Sequence, residues 1–442
     1  MKKMRAYWNI GKLRMNMALK RAAIQNYPVK AYIEPTLFCN LRCPACPTGL
    51  QLGLRPSTTL DVNLFKSALD EIGDYVFHLN MYNWGEPLLH RQTPEMIRYA
   101  KDKNIEVLLS TNLSLNLSDD YIERLVRSGL DNIICSLDGT TAETYSQYRL
   151  RGQFDLVRQN MLKIQATKKR LGVTTPNVIW QFLVFQHNEH EVEQVRAEYK
   201  SWGADAIQIM GAEMPGEEYN NGLAPSSIPE YNQYHPDHPY QQEIKRANKS
   251  GETCSWLYGV FLLNPNGKVS PCCSVAAEKD DFTEYATERG FLAAWNSDKF
   301  QRARALFLPE HKRPGKKRPA VERPQVATPA AQGVGRAISL PIIAQSAQPR
   351  PELSQSAIAL EAAATELLPA EVELVCQQCP IPHRQREATI VIDVVSTNVA
   401  RAFLAERSLK NKARYLTAYL LMGAPNWRQF GRAFFRRALK SS

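Results

Sequence analysis

Three cysteines lie within eight residues of this chain, in the run Cys39-Asn40-Leu41-Arg42-Cys43-Pro44-Ala45-Cys46. Thiolates are soft ligands suited to iron-sulfur chemistry, and three so spaced can wrap one face of a cubane cluster. A cubane holds four irons, so three local thiolates leave one iron open to the amine and carboxylate of a small molecule. The competing reading is a zinc knuckle. Such a site needs a fourth ligand close by, and no His or Cys occurs between Cys46 and His78.

A second set follows much later: Cys254, Cys272, Cys273 and the pair in Cys376-Gln377-Gln378-Cys379. Four of these could close a four-thiolate site, although the spacing of Cys376 and Cys379 alone suits zinc, redox or cluster chemistry. There are nine cysteines in all. An odd number clustered at short spacings reads as metal ligands or catalytic thiols rather than a disulfide framework. Cys135, inside an apolar run, reads as a buried structural thiol.

The elements that must position these groups are legible as an alternation. Strands are predicted at 31–35, 76–81, 105–110, 132–136, 178–184 and 206–210, and helices between them at 62–72, 94–103, 121–128, 154–171 and 192–202. Ser118 followed by Asp119 and Asp120 is an N-terminal cap with acids in the first turn, and Gly129 stands where a C-terminal cap glycine belongs. Strands alternating with helices imply parallel pairing through right-handed crossovers, with functional residues at the C-terminal strand ends. The fold class expected is α/β, a partial (β/α)6 TIM-type barrel with a small C-terminal auxiliary iron-sulfur domain.

Beyond the alternation, the Pro- and Gly-rich stretch 213–250 reads as a linker or substrate-facing loop region. A hairpin is expected over 259–270 around Asn266-Gly267, a pair that tolerates positive φ, with a helix at 291–306. Residues from 309 to about 370 are rich in Pro, Ala and Gln and lack aromatics, so they bury too little to order themselves, apart from one possible helix at 356–368. The net charge of +11 is carried by the ends: residues 1–30 hold eight Lys or Arg and no acid, and 401–442 hold ten against Glu406 alone. The remainder is net acidic, which argues against nucleic acid as a partner. Trp427, Phe430, Phe434 and Ala438 fall at helical spacing beside Arg428, Arg432 and Arg436, as in a helix lying on an anionic membrane surface or docked on its own protein. No apolar run is long enough to span a bilayer and the N-terminus lacks a signal-peptide core, so a cytoplasmic location is expected, with the inner membrane face as a possible surface.

The first cysteine run resembles the radical S-adenosylmethionine (SAM) superfamily, whose signature is Cys, three residues, Cys, two residues, Cys. The resemblance extends through about residue 212. Trp84-Gly85-Glu86-Pro87 is similar to the Gly-Gly-Glu-Pro segment that holds the SAM amino group, with Trp84 in place of the first glycine. It implies that Gly85 allows close backbone approach, Glu86 accepts from an ammonium and Pro87 stiffens the turn. The resemblance further implies that Thr111 and Asn112, at one strand tip, and Ser136 and Asp138, at the next, contact the ribose and carboxylate of SAM; turn and capping chemistry is their plain alternative. Arg149, in a stretch shared with Tyr145, would suit the SAM carboxylate, or be an exposed helix arginine. The residue before the third cysteine, often aromatic in this superfamily, is Ala45.

The later cysteines resemble the auxiliary-cluster domains called SPASM and, in shortened form, twitch. That resemblance implies one auxiliary [4Fe-4S] cluster on Cys254, Cys272, Cys376 and Cys379, with Cys272 and Cys273 able to exchange roles. The domains expected are a basic segment 1–30, a core 31–212, loops 213–250, a cluster domain 251–387 interrupted by the low-complexity insert, and a basic tail 388–442. The activity implied is reductive cleavage of SAM to a 5′-deoxyadenosyl radical, hydrogen abstraction from substrate and electron transfer to the auxiliary cluster. The reductant would be a flavodoxin or ferredoxin. The substrate implied is a small polar, sugar-like or aminocyclitol-like molecule, with peptide or protein maturation as one alternative and a non-catalytic iron-sulfur or zinc module as another.

Overall fold

The computed structural model describes residues 2–214, 222–239, 241, 253–285 and 289–308. Its strands are β1 (Lys30–Ile33), β2 (His78–Asn80), β3 (Glu106–Thr111), β4 (Asn132–Ser136), β5 (Asn177–Val184), β6 (Ala206–Gly211), β7 (Val260–Leu263), β8 (Lys268–Ser270) and β9 (Thr283–Glu284). They form one sheet in the order β6-β5-β4-β3-β2-β1-β7-β8-β9. From β1 to β6 every pairing is parallel, as the alternation with helices requires. The helices between them are α2 (Val62–Ile72), α3 (Thr93–Asp102), α4 (Asp119–Arg127), α5 (Ala142–Tyr148), α6 (Phe154–Leu171) and α7 (Val192–Glu198), after an N-terminal α1 (Lys2–Ala18). This is the expected partial six-unit barrel.

Local chemistry explains the boundaries. The Ser118 hydroxyl accepts from the Tyr121 N–H at 3.1 Å to open α4, and Gly129, at φ +82°, turns the chain out of it. β5 alternates strictly, with Val178, Trp180, Phe182 and Val184 on its buried face. The core runs continuously from Ile10 and Leu13 of α1, through the strands, to Phe291 and Trp295.

Four features depart from expectation. The basic N-terminal segment is a helix whose Ile10 and Leu13 are fully buried against the core. The C-terminal unit is not detached from the barrel: β7 pairs in parallel with β1 along its whole length, from Lys30 opposite Val260 to Ile33 opposite Leu263. In the hairpin that follows, Gly267 takes positive φ (+82°) while Asn266 does not, so the four-residue connection is not the tight two-residue turn the Asn-Gly pair suggests. The helix expected at 291–306 is split into Phe291–Trp295 and Asp298–Ala305. Its break is Asn296, whose side chain exchanges hydrogen bonds with the Ile24 backbone, donating at 2.8 Å and accepting at 2.8 Å. Asn296 thereby pins the link between α1 and β1.

Candidate iron-sulfur and cofactor site

The cysteine loop leaves the C-terminal end of β1 and is shaped by its own backbone. Arg42 donates from Nη1 to the carbonyls of Cys39 (3.1 Å) and Leu41 (2.7 Å), while its N–H reaches the Leu150 carbonyl at 3.0 Å. Ala45 sits at φ +65°, a left-handed conformation that costs an L-residue roughly 1–2 kcal/mol. A bulky aromatic would add crowding to that strain, so the small side chain here matches the turn it must make. The following residues fold back on the loop: the Leu50 N–H donates to the Cys46 carbonyl at 2.8 Å, and a Cβ on Gly49 would lie 2.3 Å from the Cys43 carbonyl oxygen. Only glycine fits there.

Cys43 is buried, and Cys39 and Cys46 are half-buried beside it. Burial pushes the Cys39 thiol up to about 11, opposed first by the Leu41 N–H and helped by Glu86 and Cys46, and pushes the Cys43 thiol up to about 12, opposed by Arg149 and helped by Cys46 and Cys39. Groups so placed are poor nucleophiles but good metal ligands, because a bound metal takes the place of the proton that burial favours. Among the described residues, no three His, Cys, Asp or Glu side chains gather closely enough to share a single metal ion. A cubane distributes its thiolates over separate irons, so a looser set of soft donors within mutual electrostatic reach fits a cluster.

Glu86 organises the strand tips around this loop. It is 2% exposed, and its two oxygens accept from the Thr111 hydroxyl (2.7 Å), the Asn112 N–H (2.7 Å) and the Leu88 N–H (3.0 Å). Burial raises its carboxyl to about 6, opposed by those donors. The carboxylate thus joins the tip of β2 to the tip of β3. Asn112 extends the link, placing its Nδ2 3.0 Å from Asn40 Oδ1 and 3.8 Å from Cys39 Sγ. Pro87 opens the short 3-10 turn Pro87–Leu89 that Glu86 caps. A Cβ on Gly85 would lie 1.9 Å from the Thr36 carbonyl oxygen, which is the close backbone approach expected of that glycine.

On the other side, Asp138 at the end of β4 is fully buried and committed to protein partners. Arg149 Nε donates to its Oδ2 at 2.5 Å, and the Leu183 N–H donates to its Oδ1 at 2.7 Å. Burial opposes the charge on Arg149 and is outweighed by Asp138, which holds the guanidinium protonated. Arg149 Nη1 lies 4.0 Å from Cys43 Sγ. Arg149, its side chain 12% exposed, is therefore a largely enclosed, anchored cation facing the cysteine loop, not an exposed helix arginine. Ser136 is 6% exposed at the tip of β4, 3.4 Å from Gln181 Oε1. Tyr145, on α5, is a core residue with no exposure.

One member of the site carries no motif signal beyond its position. Glu34 directly follows the apolar β1 and is 1% exposed; its Oε1 accepts from the Trp84 N–H at 2.5 Å and the Gly85 N–H at 2.6 Å, so it fixes the loop that presents Glu86. Its Oε2 is buried without a hydrogen bond, and burial lifts the carboxyl to about 7. An acid ending a hydrophobic strand just before a cysteine motif is the signal that could have found it. Trp84, where a glycine was expected, reaches across to the C-terminal unit, its indole N–H donating to the Val275 carbonyl at 3.1 Å. Arg55 makes a second bridge through a buried pair with Asp281 of that unit, Nη2 to Oδ1 at 2.9 Å. Between these bridges and Cys39 lies a cavity of about 410 Å³ bordered by Phe38 and Arg42, within the range of small-ligand sites.

Cys254, Cys272 and Cys273 are each half-buried and packed against the main core. Cys135 is fully buried in β4, as expected of a structural thiol. Cys376 and Cys379, the insert, its possible helix and the basic tail lie outside the described residues. The structure thus gathers Cys39, Cys43, Cys46, Glu86, Thr111, Asn112 and Arg149 at one end of the sheet, with Ser136 and Asp138 at the neighbouring strand tip.

The chain resembles known proteins over the same regions. Residues 33–197 match the Radical SAM superfamily, and residues 254–320 match SPASM, an iron-sulfur cluster-binding domain. An AdoMet-dependent heme synthase of Methanosarcina barkeri is 31% identical over 134 residues, 30% of this chain and 38% of that protein. The mycofactocin maturase MftC of Mycobacterium tuberculosis is 29% identical over 140 residues, 31% of this chain and 35% of that protein. The match therefore spans less than two fifths of either relative. Among solved structures, SuiB of Streptococcus suis bound to S-adenosylmethionine is 15% identical, with 65% of this chain and 70% of that chain covered and a TM-score of 0.49.

Proposed function

Because this chain belongs to the radical SAM superfamily and carries a SPASM domain after its core, we propose that it oxidises its substrate by hydrogen abstraction. Membership brings a [4Fe-4S] cluster and SAM as cofactors, and the SPASM domain brings auxiliary iron-sulfur chemistry. When bound, these groups supply a 5′-deoxyadenosyl radical and a second electron site.

The chain's own residues bind and orient. On this reading Cys39, Cys43 and Cys46 hold the first cluster, and Cys254, Cys272, Cys376 and Cys379 hold the auxiliary one. Glu86, fixed by Thr111 and Asn112, offers an immobile carboxylate to the SAM ammonium. Arg149, anchored on Asp138, offers a fixed guanidinium to the SAM carboxylate. Gly85 and Pro87 set the backbone that approaches the cofactor, and Ser136 serves its polar end. Residues 31–212 form the catalytic core and 251–387 the cluster domain, in a cytoplasmic enzyme reduced by a flavodoxin or ferredoxin.

The observation that carries this reading is the double contact on the cysteine loop, from the tip of β3 and from the end of α5: Asn112 to Cys39, and Arg149 to Cys43. The test is anaerobic reconstitution with iron and sulfide, then incubation with SAM and dithionite. 5′-Deoxyadenosine and methionine should form in equal amounts; a cluster-loaded protein that forms neither would be a binding module instead.

For the substrate we propose a small polar molecule oxidised at a hydroxyl or amino carbon, for which the cavity beside Cys39 offers room and the polar groups of Arg42, Thr48, Gln51, Arg55 and Ser57. A peptide is the second reading, and the similarity to a mycofactocin maturase favours it. Deuterium transfer into 5′-deoxyadenosine from labelled aminocyclitols or from labelled peptides distinguishes the two.

A further inference from the structure

We propose that α1 docks this protein on an anionic bilayer, with an apolar stripe of the helix at headgroup level and basic residues against the phosphates. α1 has two apolar faces rather than one. Ala6, Ile10 and Leu13 are buried on the core. Met4, Trp8, Met15 and Leu19 are 38, 53, 47 and 56% exposed. At 100° per residue the three on α1, Met4, Trp8 and Met15, fall within a sector of about 40° on the side away from the core, and Leu19 stands just past the helix end. A helix that merely closes a barrel has no use for a tryptophan and two methionines facing solvent in register.

The charge around the stripe names the occupant. Arg5 and Lys12 follow it on one side and Arg14 lies toward the other, and residues 1–30 contain no acid. Arg5 lies 3.8 Å from Asp74 while remaining 67% exposed. A second copy of α1 would bring like charges together. The chain's own segment 401–442 carries ten basic residues against one acid, so it is mismatched in the same way. An anionic bilayer satisfies both features at once: tryptophan sits well at the interface, methionine and leucine enter its apolar edge, and lysine and arginine meet the phosphates. Among the described residues no helix is long and apolar enough to cross a membrane, so the mode is surface attachment.

The test is sedimentation of the full-length, cluster-loaded protein with vesicles of phosphatidylglycerol and phosphatidylcholine, against phosphatidylcholine alone. Binding should require phosphatidylglycerol and weaken with salt. The Trp8→Glu/Met15→Glu variant should lose binding by roughly tenfold or more, because two exposed anchors become charges, while iron content and SAM cleavage stay unchanged. Failure of the wild type to sediment would overturn the proposal. So would binding that survives in this variant but is lost in Arg428→Glu/Arg432→Glu/Arg436→Glu, which would assign the bilayer to the tail. A third contrary outcome is a dimer, by light scattering, that the α1 variant dissociates, since it would give the stripe to a second copy. Cleavage of SAM is scored separately, so failure of the membrane test leaves the enzymatic reading standing.

Discussion

Replacing Arg149 with methionine tests how the site is held together. Asp138 has no exposure, and its two oxygens are divided between Arg149 Nε at 2.5 Å and the Leu183 N–H at 2.7 Å. Removing the guanidinium leaves a buried carboxylate with one neutral donor and no counter-charge. Breaking a buried pair on one side costs about 3–5 kcal/mol. At about 1–2 °C per kcal/mol for a chain of this size, the melting temperature should fall by roughly 3–10 °C. Adding Asp138→Asn removes the stranded charge while an amide oxygen still accepts from Leu183. The double variant should therefore recover most of the loss, and the pair should show coupling well above 1 kcal/mol in a double-mutant cycle. Anaerobic thermal melts of the four proteins, with iron content measured in parallel, decide the matter. Arg149→Met within about 1 kcal/mol of wild type, or a double variant no more stable than the single one, would refute the description of this pair as a buried, mutually dependent unit.

Other consequences can be measured directly. Cys39→Ala, Cys43→Ala or Cys46→Ala should each lower the iron bound after reconstitution and abolish 5′-deoxyadenosine formation, whereas Cys135→Ala, in the core of β4, should keep both and cost about 1 kcal/mol of stability by urea denaturation. Burial raises Glu34 from an ordinary 4.5 to about 7, so the folded state binds its proton more tightly and stability falls as pH rises between those values. That separation is worth about 3 kcal/mol; urea midpoints from pH 5 to pH 8 should show the decline, and Glu34→Gln should flatten it. Trp84→Gly would lose the hydrogen bond to Val275 and a half-buried ring, so a loss of about 2–3 kcal/mol with wild-type iron at the first cluster is expected by the same denaturation and iron assays.

The parallel core was legible because its signals are local. Apolar runs set the strands, and Ser118 and Gly129 mark the ends of α4 in the sequence itself. The cysteine loop was legible for the same reason. What escaped depends on partners far away in the chain. α1 hides in composition because its buried face is short and interleaved with basic residues, and only packing against the core reveals it. The pairing of Arg149 with Asp138 could be named residue by residue but not as a bond, since neither spacing nor residue type says which carboxylate a helix-end arginine will meet. Glu34 was missed because a buried acid looks in sequence like the end of a strand. Asn296 broke an otherwise helical pattern for the sake of a backbone 272 residues earlier, which no periodicity records.

The placement of β7 against β1 bears on how the protein is made. β1 acquires its second neighbour only when Leu263 has been synthesised, some 230 residues after Ile33. At translation rates of about 5–20 residues per second, that interval is roughly 10–50 s. Throughout it the strand that leads into the cysteine loop has one edge whose backbone N–H and C=O groups lack the partners that β7 later supplies. An edge of that kind invites pairing with other chains, so the nascent core needs protection until its last parallel strand arrives. A chain cut short before residue 260 would leave that edge of β1 without its partner strand.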